Sequence, residues 1–422
     1  MHTRAIAREI KPLRRMKILH VIPSLSLKRG GPSVAALEMA KKLLQRGVDI
    51  TLATTNDDGD KLLDVPLGEV ISTDGVPCLY FPKWNAPFKP LREFSWSPML
   101  NRWLKDRLSD YDLVHAHALF SGPSTFAMSL ARRRQVPYVV SAIGQLEPWS
   151  LSQSRLKKQL FLATCERRNL IGASAIHCAA DSEAKSVTTF NKTLKTAVIP
   201  LGINDLVESN SLNFDQQKQS ARKDIRAAQA LNAQTPIILF LARIHPKKNT
   251  EALIRAMAQI KATCSAAELP VLIVAGDGAP DYVARLKTQV QSLGLVEQIK
   301  MVGFVEGAAK RDLLLASDVY CLPSANENFG ISVLEALNAG CAAVVSDGVA
   351  LSDIVHAHDL GQVIEFDKLT EQLPDALMSA LRHPDFNARS ERARHVTLEQ
   401  FSWAACAEKF ERLYRQVLAT SL

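Results

Sequence analysis

Two carboxylates in one short segment are the residues best suited to chemistry. Glu327 and Glu335 lie eight positions apart around Gly330, within LPSANENFGISVLEALNAG. A helix that begins near Gly330 would point its free backbone N–H groups and the positive end of its dipole at a ligand, which suits a diphosphate or a sugar hydroxyl. An isolated pair of carboxylates more often caps a helix or faces solvent, so the interpretation depends on what accompanies the pair.

A basic turn accompanies the two carboxylates in the sequence. The sequence ARIHPKKN follows an apolar run and holds Arg243 and Lys248 five positions apart, with Lys247 interpreted as a solvated neighbour. Arginine offers a planar fork to phosphate oxygens and lysine a mobile point charge, so the two side chains together could hold a nucleotide diphosphate. The same charges would stabilise the leaving group without a metal ion. We therefore predict a diphosphate site here; the plain alternative is a solvated basic turn.

Alternating apolar runs and helix-length segments must position these residues. From Met16 the chain reads as strand, Gly/Ser loop, amphipathic helix, Gly47 and strand, which is a βαβ unit. Further buried strands are predicted at 113–119, 137–144, 175–180 and 196–202, and then at 236–243, 271–278, 299–305, 318–324, 341–347 and 362–366. The pattern predicts an α/β protein with two doubly wound domains, each binding ligands at the carboxyl edge of its sheet.

The domain boundary is predicted where the composition turns polar. The stretch 204–235 is rich in Ser, Asn and Gln, and its second half could form a short helix. We predict a basic tail at 1–15, a first Rossmann-like domain at 16–205, a second at 206–395 and a terminal helix at 396–422. A length of 422 residues agrees with two domains, which are expected to face a central cleft.

Charge and cysteine usage limit the partners. Lys and Arg outnumber Asp and Glu by 51 to 43, a net charge of +8, which favours an anionic partner without choosing among nucleotide, membrane surface and nucleic acid. The tail is strongly basic and lacks the apolar stretch of a secretory signal. No run of about 18 apolar residues is present. The seven cysteines are scattered, with no Cys-x-x-Cys pair and no histidine cluster at metal-ligand spacing. We expect a cytoplasmic protein without a metal site.

These features together resemble glycosyltransferase family 4, a group of retaining GT-B enzymes that use nucleotide sugars. The resemblance runs from Met16 to Val417 and rests on the GGPS loop, VHAHALF, LEPWSL, IPLGI, ARIHPKKN, AGDG, VGFV, ENFGISVLE and the terminal FSW helix. Together these motifs are specific to the family, whereas most of them are weak alone. The resemblance implies the GT-B fold, a UDP- or GDP-linked sugar donor, and transfer with retention of the anomeric configuration.

The resemblance also assigns roles by position. It implies that Glu335 binds the ribose hydroxyls of the donor, that Glu327 lies against the hydroxyls of the transferred sugar, and that Arg243 and Lys248 hold the diphosphate. The terminal helix is expected to cross back to the first domain. The other donor-binding positions implied by the family are Phe304 and Val305 at the base, the backbone of Asn328, Phe329, Gly330 and Ile331 at sugar and phosphate, and the loop glycines Gly30 and Gly31 over the phosphates.

One departure from the family affects the acceptor side. Many relatives carry His or Arg before the glycine of the loop that here reads SAIGQLEPW, and this chain has Ile143 before Gly144. The candidates for the missing catalytic or acceptor contact are His117, Gln145 and Glu147. For His117 a hydrogen-bonded core position is about as frequent an outcome as a functional role.

The implied reaction has no agreed protein nucleophile. We expect front-face substitution, in which Arg243, Lys248 and helix amides stabilise the departing diphosphate while its oxygen helps to deprotonate the acceptor. The acceptor is expected to be a glycan or a lipid-linked molecule of polysaccharide biosynthesis. We expect it to be used at the cytoplasmic face of the inner membrane, with peripheral contact to anionic lipid and none to nucleic acid. No cofactor and no metal is expected beyond the nucleotide sugar.

Three other interpretations compete with this one. Asp58, Gly59 and Asp60 form a DxD motif of the kind that metal-dependent GT-A transferases use, but NDDGD is better explained as a solvated loop of turn formers. A Rossmann dehydrogenase would need G-x-G-x-x-G on the first βα turn, where this chain has KRGGPS. A nucleotide-sugar-binding or epimerase-like relative would bind the donor and transfer nothing, so it would release no nucleotide diphosphate when acceptor is added.

Overall fold

The chain divides into two compact units. The computed structural model describes residues 15–59, 61–85, 92–207 and 213–420, except the side chain of Leu27. The first unit contains the residues up to His177, Asn191–Ala197 and the residues from Ala407 onward, and the second contains Cys178–Phe190 and Val198–Cys406. The predicted tail at 1–15 lies outside the described residues except for Arg15. The predicted domain boundaries at 205 and 395 stay predictions.

The first sheet is mostly parallel. Eight described strands form it in the order β10-β9-β8-β7-β1-β2-β6-β5, while β3 and β4 form a separate short hairpin. Strand β5 is antiparallel to β6 at one edge, and β8, β7, β1, β2 and β6 pair in parallel. The bounds are β1 (Lys17–Ser24), β2 (Asp49–Thr55), β3 (Asp57–Asp58), β4 (Lys61–Leu62), β5 (Val70–Thr73), β6 (Val76–Phe81), β7 (Leu113–His117), β8 (Tyr138–Ser141), β9 (Ala175–Cys178) and β10 (Thr196–Val198).

A serine caps one of the described helices of the first half. Ser97 accepts a hydrogen bond from the backbone N–H of Leu100 at the start of α2, as an N-cap serine does. A π-helical turn, Leu162–Glu166, joins α5 to α6. The bounds are α1 (Gly31–Gln45), α2 (Pro98–Arg107), α3 (Gly122–Arg133), α4 (Pro148–Ser152), α5 (Arg155–Phe161) and α6 (Arg167–Ile171).

Strand register brings polar residues together in the first sheet. His20 of β1 lies beside His115 of β7, and Ser141 of β8 lies beside both His117 and His177. His115 and His117 are two residues apart, and alternate residues of a strand point to the same face. The five side chains therefore share one face of the sheet.

The second sheet is parallel throughout its described pairs. Its strands are arranged in the order β13-β12-β11-β14-β15-β16. The order reverses between β11 and β14, and in open α/β sheets ligands bind beyond the carboxyl ends of the strands at such a point. The bounds are β11 (Ile237–Leu241), β12 (Val271–Ala275), β13 (Ile299–Gly303), β14 (Val319–Leu322), β15 (Ala342–Ser346) and β16 (Gly361–Ile364).

The remaining helices complete the second half. In α8 the side chains and backbone of Asn213 and Gln216 form a reciprocal capping box. Residues of α16 from Ala407 onward belong to the first unit. Helix bounds are α7 (Asp181–Phe190), α8 (Phe214–Ala228), α9 (Thr250–Thr263), α10 (Pro280–Ser292), α11 (Gly307–Ala316), α12 (Ile331–Asn338), α13 (Ser352–Ala357), α14 (Leu369–Leu381), α15 (Phe386–Phe401) and α16 (Trp403–Thr420). Short 3-10 turns lie at Leu27–Arg29, Leu108–Asp110, Pro246–Lys248 and Phe366–Lys368.

The predicted fold class is confirmed. Both sheets are of the doubly wound, Rossmann-like type, every strand predicted from an apolar run is present, and the helix suggested in the second half of 204–235 is α8. The edge hairpin of β5 and β6 was not predicted. None of the described helices is both long and apolar enough to cross a membrane.

Candidate functional site

Helix α12 begins next to the glycine that the sequence singled out. Gly330 has φ of 88°, in the left-handed region that other L residues adopt only at a cost. A Cβ atom at this position would lie 3.3 Å from Val349 Cγ1 and 3.4 Å from Glu327 Cγ. Phe329 is buried, and Ile331 is the first residue of the helix. Backbone conformation and close packing both favour glycine at 330.

Glu327 is paired with a lysine from the loop after β11. Lys248 forms an ion pair with the Glu327 carboxylate, and the two side chains are only 14% and 21% exposed. The backbone links the same two loops, because Ala325 N donates to the carbonyl oxygen of Lys247 at 2.8 Å. The basic motif and the acidic motif therefore meet at the point where the strand order reverses.

The charge of Lys248 depends on its surroundings. Burial lowers the pKa of Lys248 to about 7, and the cations Lys247 and Arg243 act in the same direction. The Glu327 carboxylate opposes this shift, because an adjacent negative charge favours the protonated amine. A bound diphosphate would do the same. Arg243, on the loop after β11, is exposed.

Glu335 contacts a lysine that the sequence did not single out. Lys310 of α11 donates to Oε1 of Glu335 at 2.6 Å, with side-chain exposures of 33% and 19%. Oε2 of Glu335 is buried and accepts no hydrogen bond from the described residues. One carboxylate oxygen is thus left for a donor group of a ligand.

Two asparagine side chains extend this set of acceptors. Oδ1 of Asn326 and Oδ1 of Asn328 are buried and accept nothing from the described part of the chain. A buried acceptor without a donor costs roughly 1–3 kcal/mol. Together with Oε2 of Glu335 these atoms fit a ligand that carries hydroxyl or N–H groups, and the neighbouring Lys248 and Lys310 fit a ligand with negative charge.

The predicted base-binding turn lies between β13 and α11. Phe304 is 63% exposed, whereas Val305 is partly buried against the core of the second unit. Gly303 and Gly307 flank them with φ of 77° and 55°. The turn leaves an aromatic ring at the surface, where it can stack on a planar group.

Gly30 and Gly31 lie at the start of α1 in the first unit. Gly30 precedes the helix with φ of 82°, and a Cβ atom on either glycine would meet no atom within 4 Å. The backbone conformation at residue 30 therefore favours glycine, but no neighbouring protein atom would clash with a larger side chain there. The space beside both residues is open to a ligand.

Asp57, the first residue of β3, anchors this loop. Its carboxylate accepts hydrogen bonds from Lys83 Nζ at 2.6 Å, from Ser95 Oγ at 3.0 Å and from Arg29, the residue before Gly30. Asp57 is only 1% exposed. The prediction of a solvated loop at NDDGD is wrong for this residue, because these three side chains and the backbone N–H of Gly59 compensate its charge and allow burial.

Asp58, the first residue of the DxD motif, also contacts the loop before α1. Its carboxylate accepts from Lys28 Nζ at 2.5 Å and from Ser26 Oγ. These hydrogen bonds, that of Lys28 first, lower the pKa of Asp58. Asp60 lies outside the described residues. Asp57 and Asp58 thus both connect β3 to the glycine loop.

His117 is part of a buried histidine cluster. It is 3% exposed, its Nε2 lies 3.1 Å from Nδ1 of His20, and its ring stacks on that of His115 with 4.2 Å between centroids. The hydroxyl of Tyr414, from α16, lies 3.3 Å from Nε2 of His20 and 2.6 Å from Nδ1 of His115. The terminal helix therefore completes the cluster.

The hydrogen bonds of the cluster continue along the sheet. Nε2 of His115 lies 2.8 Å from Ser141 Oγ, which lies 2.7 Å from Nδ1 of His177. Burial lowers the pKa of His20 to about 3 and holds the pKa values of His115 and His117 well below their usual range. These three rings are therefore neutral at physiological pH.

Three of these histidines lie close enough to share a metal ion. Ring nitrogens of His20, His115 and His117 lie within 4.8 Å of one another, so the expectation of no histidine cluster is wrong in space. However, both nitrogens of His115 contact hydroxyl groups, of Tyr414 and Ser141, and the rings of His115 and His117 are only 24° from parallel. Nearly parallel rings do not point two lone pairs at one centre, so the geometry fits a hydrogen-bonded chain better than tetrahedral coordination.

The two acceptor candidates lie in the loop after β8. Gln145 accepts a hydrogen bond from the backbone N–H of Leu119 through Oε1 and so connects this loop to the one after β7. Glu147 is 6% exposed and precedes α4. Ile143 has φ of 53°, which is strained for a β-branched residue, and Gly144 follows with φ of 68°. Strain of this kind concentrates at functional sites.

Two family models match the chain. The model of the glycosyl transferase 4-like domain matches residues 30–202, and that of glycosyl transferases group 1 matches residues 221–396. The chain is a GT-B glycosyltransferase of the family 4 kind. The resemblance drawn from the motifs is thus confirmed, together with the enzyme class.

Individual relatives of this glycosyltransferase agree. A D-inositol 3-phosphate glycosyltransferase of Rhodococcus erythropolis is 25% identical over 400 residues, which cover 92% of this chain and 86% of the relative. A phosphatidyl-myo-inositol mannosyltransferase of Mycobacterium leprae is 30% identical over 186 residues, 44% of this chain and 47% of the relative. Among solved structures, Anabaena HepE in complex with UDP and glucose has a TM-score of 0.71 at 21% identity, covering 95% of this chain and 100% of that one.

Three residues of the site region were not predicted from the sequence. Lys310 has no distinguishing signal, because it is one basic residue on an ordinary helix. Tyr414 lies on the terminal helix, for which only a crossing back to the first domain was expected. His115 carried a usable signal: it stands two residues before His117 in a strand, a spacing that places both rings on one face of a sheet.

Proposed function

We propose that this glycosyltransferase moves a sugar from a nucleoside diphosphate to a hydroxyl group of a glycan or a lipid-linked acceptor. The observation that carries the donor assignment is the set of buried acceptor oxygens on Asn326, Asn328 and Glu335, next to the cations Lys248 and Lys310. Ribose and sugar hydroxyls supply hydrogen-bond donors, and the diphosphate supplies negative charge. UDP is the first nucleotide to test, because the structural neighbour HepE was solved with UDP and glucose.

We assign the second-unit residues the roles that the family resemblance implies. Glu335 binds the ribose hydroxyls through Oε2, while Lys310 holds Oε1 and fixes the orientation of the carboxylate. Glu327 accepts from hydroxyls of the transferred sugar. Phe304 lies against the base, where its exposed ring can stack.

We further propose that transfer proceeds with retention and without a metal ion. Arg243, Lys248 and the free amides of α12 stabilise the diphosphate as the bond to the sugar breaks. The new bond to the acceptor oxygen forms on the face that the nucleotide leaves, and the departing phosphate oxygen takes the acceptor proton. The ion pair with Lys248 reduces the nucleophilicity of Glu327, which favours a positioning role over a covalent one.

The first unit supplies the proposed acceptor-side residues and two glycines assigned to donor binding. Gly30 and Gly31 leave open space at the start of α1 for the approach of phosphate. His117 is neutral and buried, Gln145 holds the neighbouring loop, and Glu147 precedes α4. We propose His117 as a contact to the transferred sugar or the acceptor in place of the residue missing at Ile143.

The acceptor class and the cellular site are proposals from chemistry and from relatives. The relatives are named for D-inositol 3-phosphate and phosphatidyl-myo-inositol, the second of which is a lipid. We propose a glycan or lipid-linked acceptor of polysaccharide biosynthesis, used at the cytoplasmic face of the inner membrane. The basic tail that was expected to touch anionic lipid lies outside the described residues except for Arg15.

Nucleotide binding tests the donor assignment. We expect UDP or GDP to raise the melting temperature, because a ligand at 100 times its Kd stabilises the fold by about 2.7 kcal/mol. Glu335→Ala should weaken binding by about 1.5–3 kcal/mol, roughly 10- to 150-fold in the calorimetric Kd. Glu297→Ala is the control, since Glu297 is 81% exposed and contacts only Lys300 among the described ion pairs. Equal affinities in parent and Glu335→Ala would refute the ribose role.

Metal dependence tests the leaving-group assignment. Excess EDTA should leave the transfer rate nearly unchanged, whereas Lys248→Ala or Arg243→Ala should lower it roughly 100- to 1000-fold, as expected for loss of one charge-stabilising group. Asp58→Ala and Asp60→Ala should behave almost like the parent. Loss of activity in EDTA, with recovery in manganese and an inactive Asp58→Ala variant, would show that the metal-free mechanism is wrong.

A further inference from the structure

Helix α5 presents an apolar surface in the first unit. Leu156 is 82% exposed and Leu160 is 68% exposed, the highest values among the large hydrophobic side chains of the described residues. They stand four residues apart, so they lie one above the other on the same side of the helix. Trp149, just before on α4, is 44% exposed. Scattered exposed leucines are ordinary, but two adjacent ones at this exposure form a patch that needs a partner.

The opposite side of α5 packs on the protein. Phe161 contacts Phe94 and Phe120, with ring centroids 5.2 Å and 6.1 Å apart. Lys158 donates to the carbonyl oxygen of Ser150 at 2.5 Å and lies over the ring of Phe120. These contacts fix the rotation of the helix, so Leu156 and Leu160 face outward as a consequence of the packing.

Positive charge borders the two leucines. Arg155 and Lys157 are exposed on either side of Leu156, and Arg167 and Arg168 are exposed at the start of α6. The acidic residue between Pro148 and Asn169 is Glu166, which is fully buried and accepts from Phe120 N and Thr125 Oγ1 inside the unit. The exposed charged residues between Pro148 and Asn169 are therefore all positive, while Glu93, next to the Phe94 that packs on α5, is an exposed acidic neighbour.

We propose that the outer face of α5, formed by Leu156 and Leu160 with the flanking Arg155 and Lys157, binds an anionic lipid bilayer. An apolar face with basic residues at its borders is the pattern of helices that lie in the plane of a membrane interface. The leucines enter the acyl boundary while the basic side chains remain at the headgroups. The inference extends the proposed function by locating its membrane contact, and it rests on that function only in the choice of a lipid surface.

Charge favours a bilayer over a second copy of the chain. In a two-fold dimer the same patch meets itself, so Arg155 and Lys157 of each copy would face the same cations of the other. Like charges across an interface are unfavourable. An anionic lipid surface satisfies both the leucines and the basic residues.

Vesicle flotation of the full chain tests the inference. The parent should bind vesicles of phosphatidylcholine with phosphatidylglycerol, bind pure phosphatidylcholine vesicles far less, and lose binding as salt screens the charges. A variant with both Leu156→Ser and Leu160→Ser should lose at least about tenfold in partitioning, as expected when two large apolar side chains no longer enter the bilayer. Val70→Ser is the matched control, because Val70 is 63% exposed in the same unit but lies on the edge strand β5.

Three results would overturn the proposal. These are no binding by the parent, equal binding by the double variant, and a parent dimer in sedimentation that the double variant lacks. A UDP-induced melting shift should be the same in parent and double variant, which shows that the fold is intact. If the parent binds vesicles but not UDP, the proposed donor site fails and the membrane surface stands. If the parent binds UDP but not vesicles, the membrane surface fails and the donor site stands.

Discussion

The buried histidine cluster should make the first unit sensitive to mild acid. His20, His115 and His117 have pKa values far below that of an unfolded histidine because burial disfavours the charged ring. The unfolded chain therefore binds more protons than the folded chain once the pH falls below about 6.5. Stability is unaffected above that pH, declines as the pH falls, and stops declining only below the folded-state pKa values.

The size of the effect follows from proton binding. At about pH 5.5 each unfolded histidine gains about 1.4 kcal/mol from a proton that the folded ring does not take. Three rings give at most about 4 kcal/mol between about pH 7.5 and 5.5, a large part of the 5–15 kcal/mol that typically stabilises a domain. Most carboxylates titrate below this window, but burial raises the pKa of Glu166 in the same unit, so its protonation in the folded state offsets part of the loss.

Tryptophan fluorescence during urea denaturation follows mainly the unfolding of the first unit. We expect the free energy of unfolding to fall, by at most about 4 kcal/mol, between about pH 7.5 and 5.5. His20→Gln should remove about one third of the loss, whereas the exposed His395→Gln should not alter it. Equal stability at the two pH values, or an unchanged slope in His20→Gln, would refute the reasoning. Four of the five tryptophans lie in the first unit: Trp84, Trp96, Trp103 and Trp149.

Three further outcomes are expected. Gly330→Ala should destabilise the protein by about 1–2 kcal/mol in urea, because Gly330 has a positive φ, and it should also weaken UDP binding. The control Gly294→Ala should affect stability alone, because Gly294 has φ of 65° and no atom near its Cβ position. Asp57→Asn should cost about 3–5 kcal/mol by leaving the buried Lys83 unpaired. Asp58→Ala, beside the exposed Lys28, should cost less than about 1 kcal/mol, and urea denaturation measures both losses. UDP binding at about pH 8 should be accompanied by uptake of a proton, because the bound anion raises the pKa of Lys248 from about 7. The uptake appears as a dependence of the calorimetric binding enthalpy on the buffer, and Lys248→Met should abolish it.

Most of the fold could be predicted because the central strands are continuous apolar runs. Strands such as β7 and β11 are buried at every residue, so their sequences differ clearly from the helices between them. The hairpin of β5 and β6 was missed because β5 is half exposed at an edge and carries little apolar signal. The NDDGD segment was misread because burial of Asp57 depends on Lys83 and Ser95, which lie far along the chain.

The site was predictable where a motif dictates local structure. Gly330 marks the start of α12, and the two motifs on either side of the strand reversal meet as the Lys248–Glu327 pair. Which cation faces Glu335 could not be predicted, because α8, α9, α10 and α11 all carry basic residues and only the fold selects Lys310. The roles of the individual residues toward ligands stay predictions.

The place of Tyr414 in the chain has a consequence for synthesis. Domains usually fold as units, amino-terminal first, while the ribosome adds about 5–20 residues per second. Here the first unit needs residues from Ala407 onward, which are added only after the whole second unit. Translation from His177 to Ala407 takes roughly 10–45 s at that speed, and during this time the histidine face of the first sheet lacks the hydroxyl that connects His20 to His115. The newly made amino-terminal half should therefore depend on a chaperone until the last helix emerges, and a cut before Ala407 should damage the half of the enzyme that was made first.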